Sequence, residues 1–172
     1  MHAHADAILI EPSTELRTEF LTMAEEFAAE GDECYRYALE DFHAFVRRLK
    51  EFAEGVNLQP GRVRETTLWL AQGRRVIGSG RIRHELTPEL EYEGGHVGYD
   101  IRPSERRKGY GTLILALSLE RARALALNRV LLTCDTDNIA SARIIEKSGG
   151  RLSSQAVSRK NGKLISRYWI DL

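Results

Sequence analysis

The chain has 172 residues, 42% hydrophobic and 29% charged, and its 25 basic and 25 acidic side chains balance to zero net charge. This length suits one domain with a sizeable core, while a neutral whole argues against the basic face that general nucleic-acid binding needs. No apolar run approaches the roughly 20 residues of a membrane span, and none resembles a signal-peptide core.

Cys34 and Cys134 lie far apart and have no CxxC partner, which argues against a zinc site or disulfide scaffold and fits a reducing, cytoplasmic setting. His2 and His4 near the start have metal-binding chemistry, but a frayed terminus is the simpler reading, and no metal is expected. The charge is unevenly placed. Residues 1–60 hold 13 acidic and 5 basic side chains, and residues 61–172 hold 12 acidic and 20 basic ones. Two solvated helix faces of opposite sign explain this most simply; the ligand reading is a cation near the first third and an anion near the rest.

Residues 7–11 form a short apolar run ended by Pro12, the pattern of an edge strand. Leu16, Phe20, Met23 and Phe27 then recur at helical spacing until Gly31. Asp32 is placed to cap a second helix with the stripe Tyr35, Leu39, Phe42, Val46, Leu49 and Ala53, closed by Gly55. Residues 56–64, with Pro60-Gly61, read as a loop. Residues 66–71 and 76–84 are strands about a turn at Gln72-Gly73. A polar excursion, 85–95, leads to a strand over 96–102, in which Val97, Tyr99 and Ile101 share a face.

Residues 112–127 predict a helix apolar almost all round at its start, suited to packing on a sheet. Residues 129–134 read as a buried central strand. Asp137 and Asn138 cap a short helix ending at Gly149-Gly150, and strands 152–159 and 164–171 flank Asn161-Gly162, a hairpin signal. The order β-α-α-β-β-β-α-β-α-β-β predicts one α/β domain over 1–172, with an acidic front (1–60) and a sheet core (61–172).

The segment 100–112, Asp-Ile-Arg-Pro-Ser-Glu-Arg-Arg-Lys-Gly-Tyr-Gly-Thr, joins a strand to a helix. A helix start exposes unpaired N–H groups and the positive end of the helix dipole. Gly109 and Gly111 let backbone amides come close to a ligand, and Arg106, Arg107 and Lys108 add charge, so the loop is a socket for phosphate oxygens. Neither GxxxxGK[ST] nor GxGxxG is present.

Arg106-x-x-Gly109-x-Gly111, after a strand ending Ile101-x-Pro103, resembles the acetyl-CoA-binding motif of the GNAT superfamily of N-acetyltransferases. Asn138-Ile-Ala-Ser-Ala-Arg-Ile-Ile-Glu-Lys-Ser-Gly149 is similar to the family's Asn-led helix with its closing Glu-Lys-x-Gly, and the order of elements matches over nearly all of the chain. The resemblance implies a mixed, mostly antiparallel sheet of about seven strands flanked by about four helices, splayed between strands 96–102 and 129–134. It implies that the amides from Arg106 to Thr112, Tyr110 included, hold the CoA pyrophosphate. The backbone of Ile101 and Arg102 would pair with the pantetheine arm, and an amide there would polarise the thioester carbonyl. Asn138 and Ser141 would contact the cosubstrate from across the cleft.

Many members carry a Tyr in the last helix that protonates the leaving thiolate. Ile145 stands there, which leaves water or Tyr99 as donor. The usual aromatic after the closing Gly is replaced by Gly150. An ammonium must lose a proton before it attacks a thioester. Family members often use a Glu on or before the strand entering the phosphate loop, which points to Glu93, with Glu91 and His96 as alternates. Cys134 reads as a buried structural thiol.

The implied activity is transfer of acetyl from acetyl-CoA to a primary amine, on a small molecule or a protein. The acidic front, one wall of the acceptor site in this fold, favours a cationic acceptor. No nucleic-acid or membrane partner is expected, and the hairpin 152–172 offers a strand for a homodimer. A GNAT fold that binds acyl-CoA without turnover is the alternative, and Ile145 favours it. An unrelated α/β protein with a phosphate-binding turn ranks third.

Overall fold

A computed structural model describes residues 6–172; His2 and His4 lie outside the described residues. β1 (Ala7–Ile10) leads through a 3-10 turn, Thr14–Leu16, into α1 (Arg17–Ala29). The predicted second helix is two helices, α2 (Arg36–Glu40) and α3 (Phe42–Glu54). Asp41 causes the break. Its backbone is extended and its carboxylate accepts the Ala44 amide at 2.9 Å, so a short acid that caps well starts a new helix inside the apolar stripe. Gly55, at φ 76°, closes α3 in the left-handed conformation.

β2 (Glu65–Gln72) and β3 (Arg75–Arg83) form the expected hairpin. The polar excursion contains a short helix, α4 (Pro88–Tyr92), where Thr87 accepts the Leu90 amide and Pro88 opens the first turn. β4 (Val97–Ile101), α5 (Tyr110–Ala124), β5 (Arg129–Asp135), α6 (Ile139–Lys147), β6 (Arg151–Val157) and β7 (Leu164–Asp171) complete the chain. Among the described residues, the expected seven strands and four longer helices are therefore present, with the five-residue α2 and α4 in addition.

The strands form two antiparallel sheets, β1-β2-β3-β4 and β5-β7-β6. α1, α2 and α3 cover one face around Phe20, Tyr35, Phe42 and Trp69. α5 packs on the opposite face through Ile114 and Leu115, and Ile145 of α6 joins Leu132 and Tyr168 in the neighbouring core. β6 is a free edge whose Leu152 and Val157 are more than half exposed.

The two sheets meet at the start of β4. The His96 amide donates to the Leu131 carbonyl at 2.7 Å, the Leu131 amide donates to His96 Nδ1 at 3.0 Å, and the Gly94 amide donates to Thr133 Oγ1 at 3.1 Å. Gly95 sits at φ 66°, where a Cβ would lie 2.3 Å from the Leu131 carbonyl oxygen, so only glycine fits this close crossing. Beyond it, no ladder joins β4 to β5 among the described residues. The sheet is a wedge with its apex at His96.

Candidate active site

A cavity of about 600 Å³ opens where the strands diverge, a size suited to a small-molecule site. β4 lines it with Tyr99, Asp100 and Ile101, the following loop with Glu105, Arg106, Arg107 and Gly109, α5 with Gly111 and Thr112, and α6 with Asn138, Ala140, Ser141 and Ile144. Phe27 and Asp32 close it from the acidic front.

The loop is held in an unusual path. Arg107 has φ 60° and Gly109 φ 86°, so consecutive amides turn toward one side at the start of α5. Among the described residues, the amides of Arg107, Lys108, Gly109 and Gly111 donate to no protein acceptor. Thr112 differs: its amide is spent on the Gly109 carbonyl at 3.2 Å. A Cβ at Gly111 would lie 2.8 Å from Ile144 Cδ1 and 3.8 Å from Tyr99 Cε2, so this glycine keeps the passage between β4 and α6 open. Open amides at a helix start, a cradle that a side chain would fill and an adjacent arginine fit a pyrophosphate.

The cations divide. Arg107 lines the cavity and forms no ion pair among the described residues. Arg106 Nη1 lies 2.7 Å from Glu30 Oε2 and its Nε donates to the Ile101 carbonyl at 3.2 Å. Lys108 pairs with Glu105 at 2.8 Å, and Arg75 pairs with the same carboxylate at 2.7 Å. Burial pushes the Glu105 carboxyl up, but the hydrogen bonds from Lys108 and Arg75 outweigh it and hold its pKa below the ordinary value. A depressed carboxyl stabilises the fold above its unfolded pKa, and that contribution is lost as pH falls through the lower folded value. Glu105→Gln is expected to lower donor affinity several-fold by freeing the loop and to flatten the decline of Tm below about pH 4.5. Calorimetry and thermal melts across pH check both.

Several expectations are corrected. The Arg102 amide donates to Ile77 O in the sheet, and its side chain is buried against Glu26 (2.7 Å) and Glu19 (3.2 Å). It therefore has no amide left for a pantetheine arm. Strand alternation instead turns the backbone of Ile101 and Tyr99 to the open edge. For Tyr110 the expectation concerned the amide; its ring is buried and its hydroxyl donates to Gln72 Oε1 at 3.1 Å, away from the cavity. Asn138 lines the cavity while its Oδ1 caps α6 by accepting the Ser141 amide at 3.1 Å.

Glu93 is outside this site. It accepts from Ser158 Oγ at 2.8 Å and faces Lys160 in a separate cavity formed with α4 and the β6–β7 hairpin. Glu91 is also remote, lining a third depression beside His96 and Trp169. His96 is buried, and its Nδ1 is occupied by the Leu131 amide. Burial, with Arg83 and Arg129 nearby, lowers its pKa, so it is a neutral structural pin. Ile145 is 1% exposed in the core, and the cavity face of α6 carries Ser141 and Ile144 instead.

Tyr99 does reach the cavity, its hydroxyl 3.4 Å from Ser141 Oγ. Burial raises its pKa, so it holds its proton at neutral pH. Cys134, near the same hydroxyl pair, is buried and its thiol pKa is raised by burial.

Asp100 escaped sequence reasoning. Its Oδ1 accepts from the Tyr35 hydroxyl and its Oδ2 pairs with Arg81 Nη2 at 2.9 Å. Burial raises its pKa despite both partners. A lone acid alternating with Tyr99 and Ile101 in a core strand was the available signal. Part of the charge split is paired within the fold. Glu19, Glu26 and Glu30 of the acidic front neutralise Arg102 and Arg106 of the basic remainder.

No helix among the described residues is long and apolar enough to cross a membrane, and none of their acidic, histidine or cysteine side chains form a metal-binding group. A search of curated protein sequences finds no match. Among solved structures, the microcin C7 self-immunity acetyltransferase MccE in complex with acetyl-CoA and AMP superposes with a TM-score of 0.74 at 15% identity, over 97% of this chain and 93% of that one. Mycobacterium smegmatis RimJ in complex with CoA-disulfide gives 0.75 at 16% identity, over 96% and 81%. The ribosomal L7/L12 alpha-N-protein acetyltransferase RimL with coenzyme A gives 0.73 at 15% identity, over 97% and 94%. These similarities establish the fold. Residues 9–151 match the family described as the acetyltransferase (GNAT) domain, and the chain belongs to that acetyl-CoA-dependent family of acetyltransferases.

Proposed function

We propose that this protein transfers the acetyl group of acetyl-CoA to an amine, acting in a reducing cytoplasm on a cationic acceptor. The observation that carries this reading is the cleft itself. Open amides and Arg107 lie at one end, the unpaired edge of β4 runs along it, and Asp32 and Asp100 stand at its mouth.

Acetyl-CoA supplies the activated acyl group when bound. The amides of Arg107, Lys108, Gly109 and Gly111, at the positive end of α5, suit its pyrophosphate. The cleft-facing backbone of Tyr99 and Ile101 suits the pantetheine arm, and a donor there stabilises negative charge as it develops on the carbonyl oxygen. The Tyr99 hydroxyl holds the proton that a leaving thiolate needs. The MccE, RimJ and RimL structures, determined with acetyl-CoA or CoA species, support the donor assignment. RimL is an alpha-N-protein acetyltransferase, which makes a protein amine one of the acceptors to test. The free β6 edge is the surface on which a homodimer would form.

The test has two parts. Calorimetry is expected to show saturable one-to-one binding of acetyl-CoA. Release of free CoA is then expected on mixing with a panel of primary amines that includes polyamines and peptides with free N-termini. A folded protein that binds no acetyl-CoA overturns the reading. Binding without thiol release for any amine favours a non-catalytic acyl-CoA sensor. The placement of Glu93, His96 and Ile145 away from the cleft supports that second reading.

A further inference from the structure

The reaction proposed above needs a group to take a proton from the acceptor ammonium, and none of the three side chains singled out in the sequence reaches the cleft. Among the described residues three carboxylates line it: Glu105 is paired with Arg75 and Lys108 in the loop, which leaves Asp32 and Asp100 on the side of the acidic front. Asp32 is on the turn before α2, where its Oδ1 accepts the Cys34 amide at 2.9 Å. Asp100 belongs to β4 itself, adjacent in sequence to Tyr99 and Ile101 but on the opposite face of the strand.

We propose that Asp100 is the general base of this protein and that Tyr35 and Arg81 are the positioning residues that orient it. The inference rests on the amine-acetyltransferase reading. The cavity carries the argument. It passes round the unpaired edge of β4, so Tyr99 on one face and Asp100 on the other line the same space. An amine arriving from the α1–α2 side meets Asp100 before it meets the donor channel.

The carboxylate is fixed before any substrate binds. Tyr35 is 4% exposed, lodged edge-on against Phe20 and Phe27, and donates to one oxygen. Arg81 comes from β3, directly across the ladder from Gly98, and pairs with the other oxygen. Each oxygen keeps a second lone pair for an incoming N–H. The groups facing Asp100 are Arg81 from β3, Tyr35 at the start of α2, and Asp32 and Cys34 from the preceding turn. Partial burial first, and then the Asp100 and Asp32 carboxylates, push the Cys34 thiol up to about 12. Burial likewise lifts the Asp100 carboxyl above an ordinary aspartate, toward the range in which a base works.

The step balances. Asp100 takes one proton from the ammonium, and the freed nitrogen lone pair forms the N–C bond. The C–S bond breaks with its electron pair on sulfur, which takes the Tyr99 proton. The nitrogen, which still carries one proton more than an amide holds, passes it through water to the Tyr99 phenolate, and Asp100 loses its proton to water, so the products are the amide, the free thiol and one proton.

The test uses the full chain with acetyl-CoA and whichever amine the wild type acetylates best. Asp100→Asn is expected to lower kcat at least about a hundredfold while the calorimetric Kd for acetyl-CoA stays within about twofold. Tyr35→Phe keeps the carboxylate but removes a hydrogen bond that lowers its pKa. The acid limb of its kcat/KM profile is therefore expected at higher pH than in wild type, because the base works only when deprotonated. Retention of wild-type kcat in a folded Asp100→Asn overturns the proposal. If that variant does not fold, an unmoved acid limb in Tyr35→Phe overturns it. A wild type that acetylates no amine takes this inference down with the reading beneath it, whereas a failed variant in an active protein removes only Asp100.

Discussion

Gly111→Trp is expected to weaken acetyl-CoA binding about a hundredfold or more, roughly 2.7 kcal/mol, with stability changed by no more than about 1 kcal/mol. The separation of the two effects follows from where the glycine sits. Its φ lies outside the left-handed region, so a larger residue is not strained there. Its missing side chain points at the passage between Tyr99 and Ile144. The nearest atom, Ile144 Cδ1, is the far end of a flexible chain and can give way. An indole at that point fills the channel rather than the core. Calorimetry with acetyl-CoA alongside urea unfolding checks both halves. Unchanged affinity in the folded variant would place the donor elsewhere and remove the basis of the proposed function.

Arg102→Leu is expected to cost about 3 kcal/mol of stability, a fall in Tm on the order of 6–12 °C for a chain of this size. Arg102 is 2% exposed and holds Glu19 and Glu26 while also donating to the Val76 carbonyl at 3.3 Å. Removing it leaves two carboxylates facing each other and a buried carbonyl without that donor. The cost arises mainly from those abandoned partners. Adding Glu26→Leu to Arg102→Leu should therefore recover part of the loss, a non-additivity that a double-mutant cycle in thermal unfolding measures. Purely additive losses would mean that the pair is not coupled.

The fold was legible because period and punctuation agree along most of the chain. The β2–β3 hairpin, the apolar opening of α5, and β5 all follow from such patterns. The α2–α3 break was hidden because Asp41 interrupts a stripe whose apolar spacing continues across it, and spacing records a face rather than backbone continuity. α4 was hidden by its five-residue length. In the site, the glycine turn at the start of α5 could be read because glycines and a helix start carry local information. Tyr99 could be named as a donor, but the carboxylate partner could not. Glu93 and Asp100 are seven positions apart, yet the reversal of direction through Gly94 and Gly95, both at positive φ, sends one to the β6–β7 hairpin and leaves the other in the cleft. His96 looked like a base in the sequence because nothing local records that a distant amide, Leu131, occupies its ring nitrogen.

The acids Glu19, Glu26 and Glu30 share one face of α1, while Phe20, Met23 and Phe27 share another. One helix thus keeps the donor loop in place, fills a core and delivers Phe27 to the cleft. This arrangement restricts how such a protein diversifies. Along α1, a substitution that suits a new acceptor disturbs either the aromatic core or an arginine on which the loop depends. The turn over residues 31–34 carries fewer of these obligations: Asp32, Glu33 and Cys34 are exposed there. Changes that would suit a different acceptor are therefore accommodated most easily in that turn, and the helix before it is constrained by mechanics rather than chemistry.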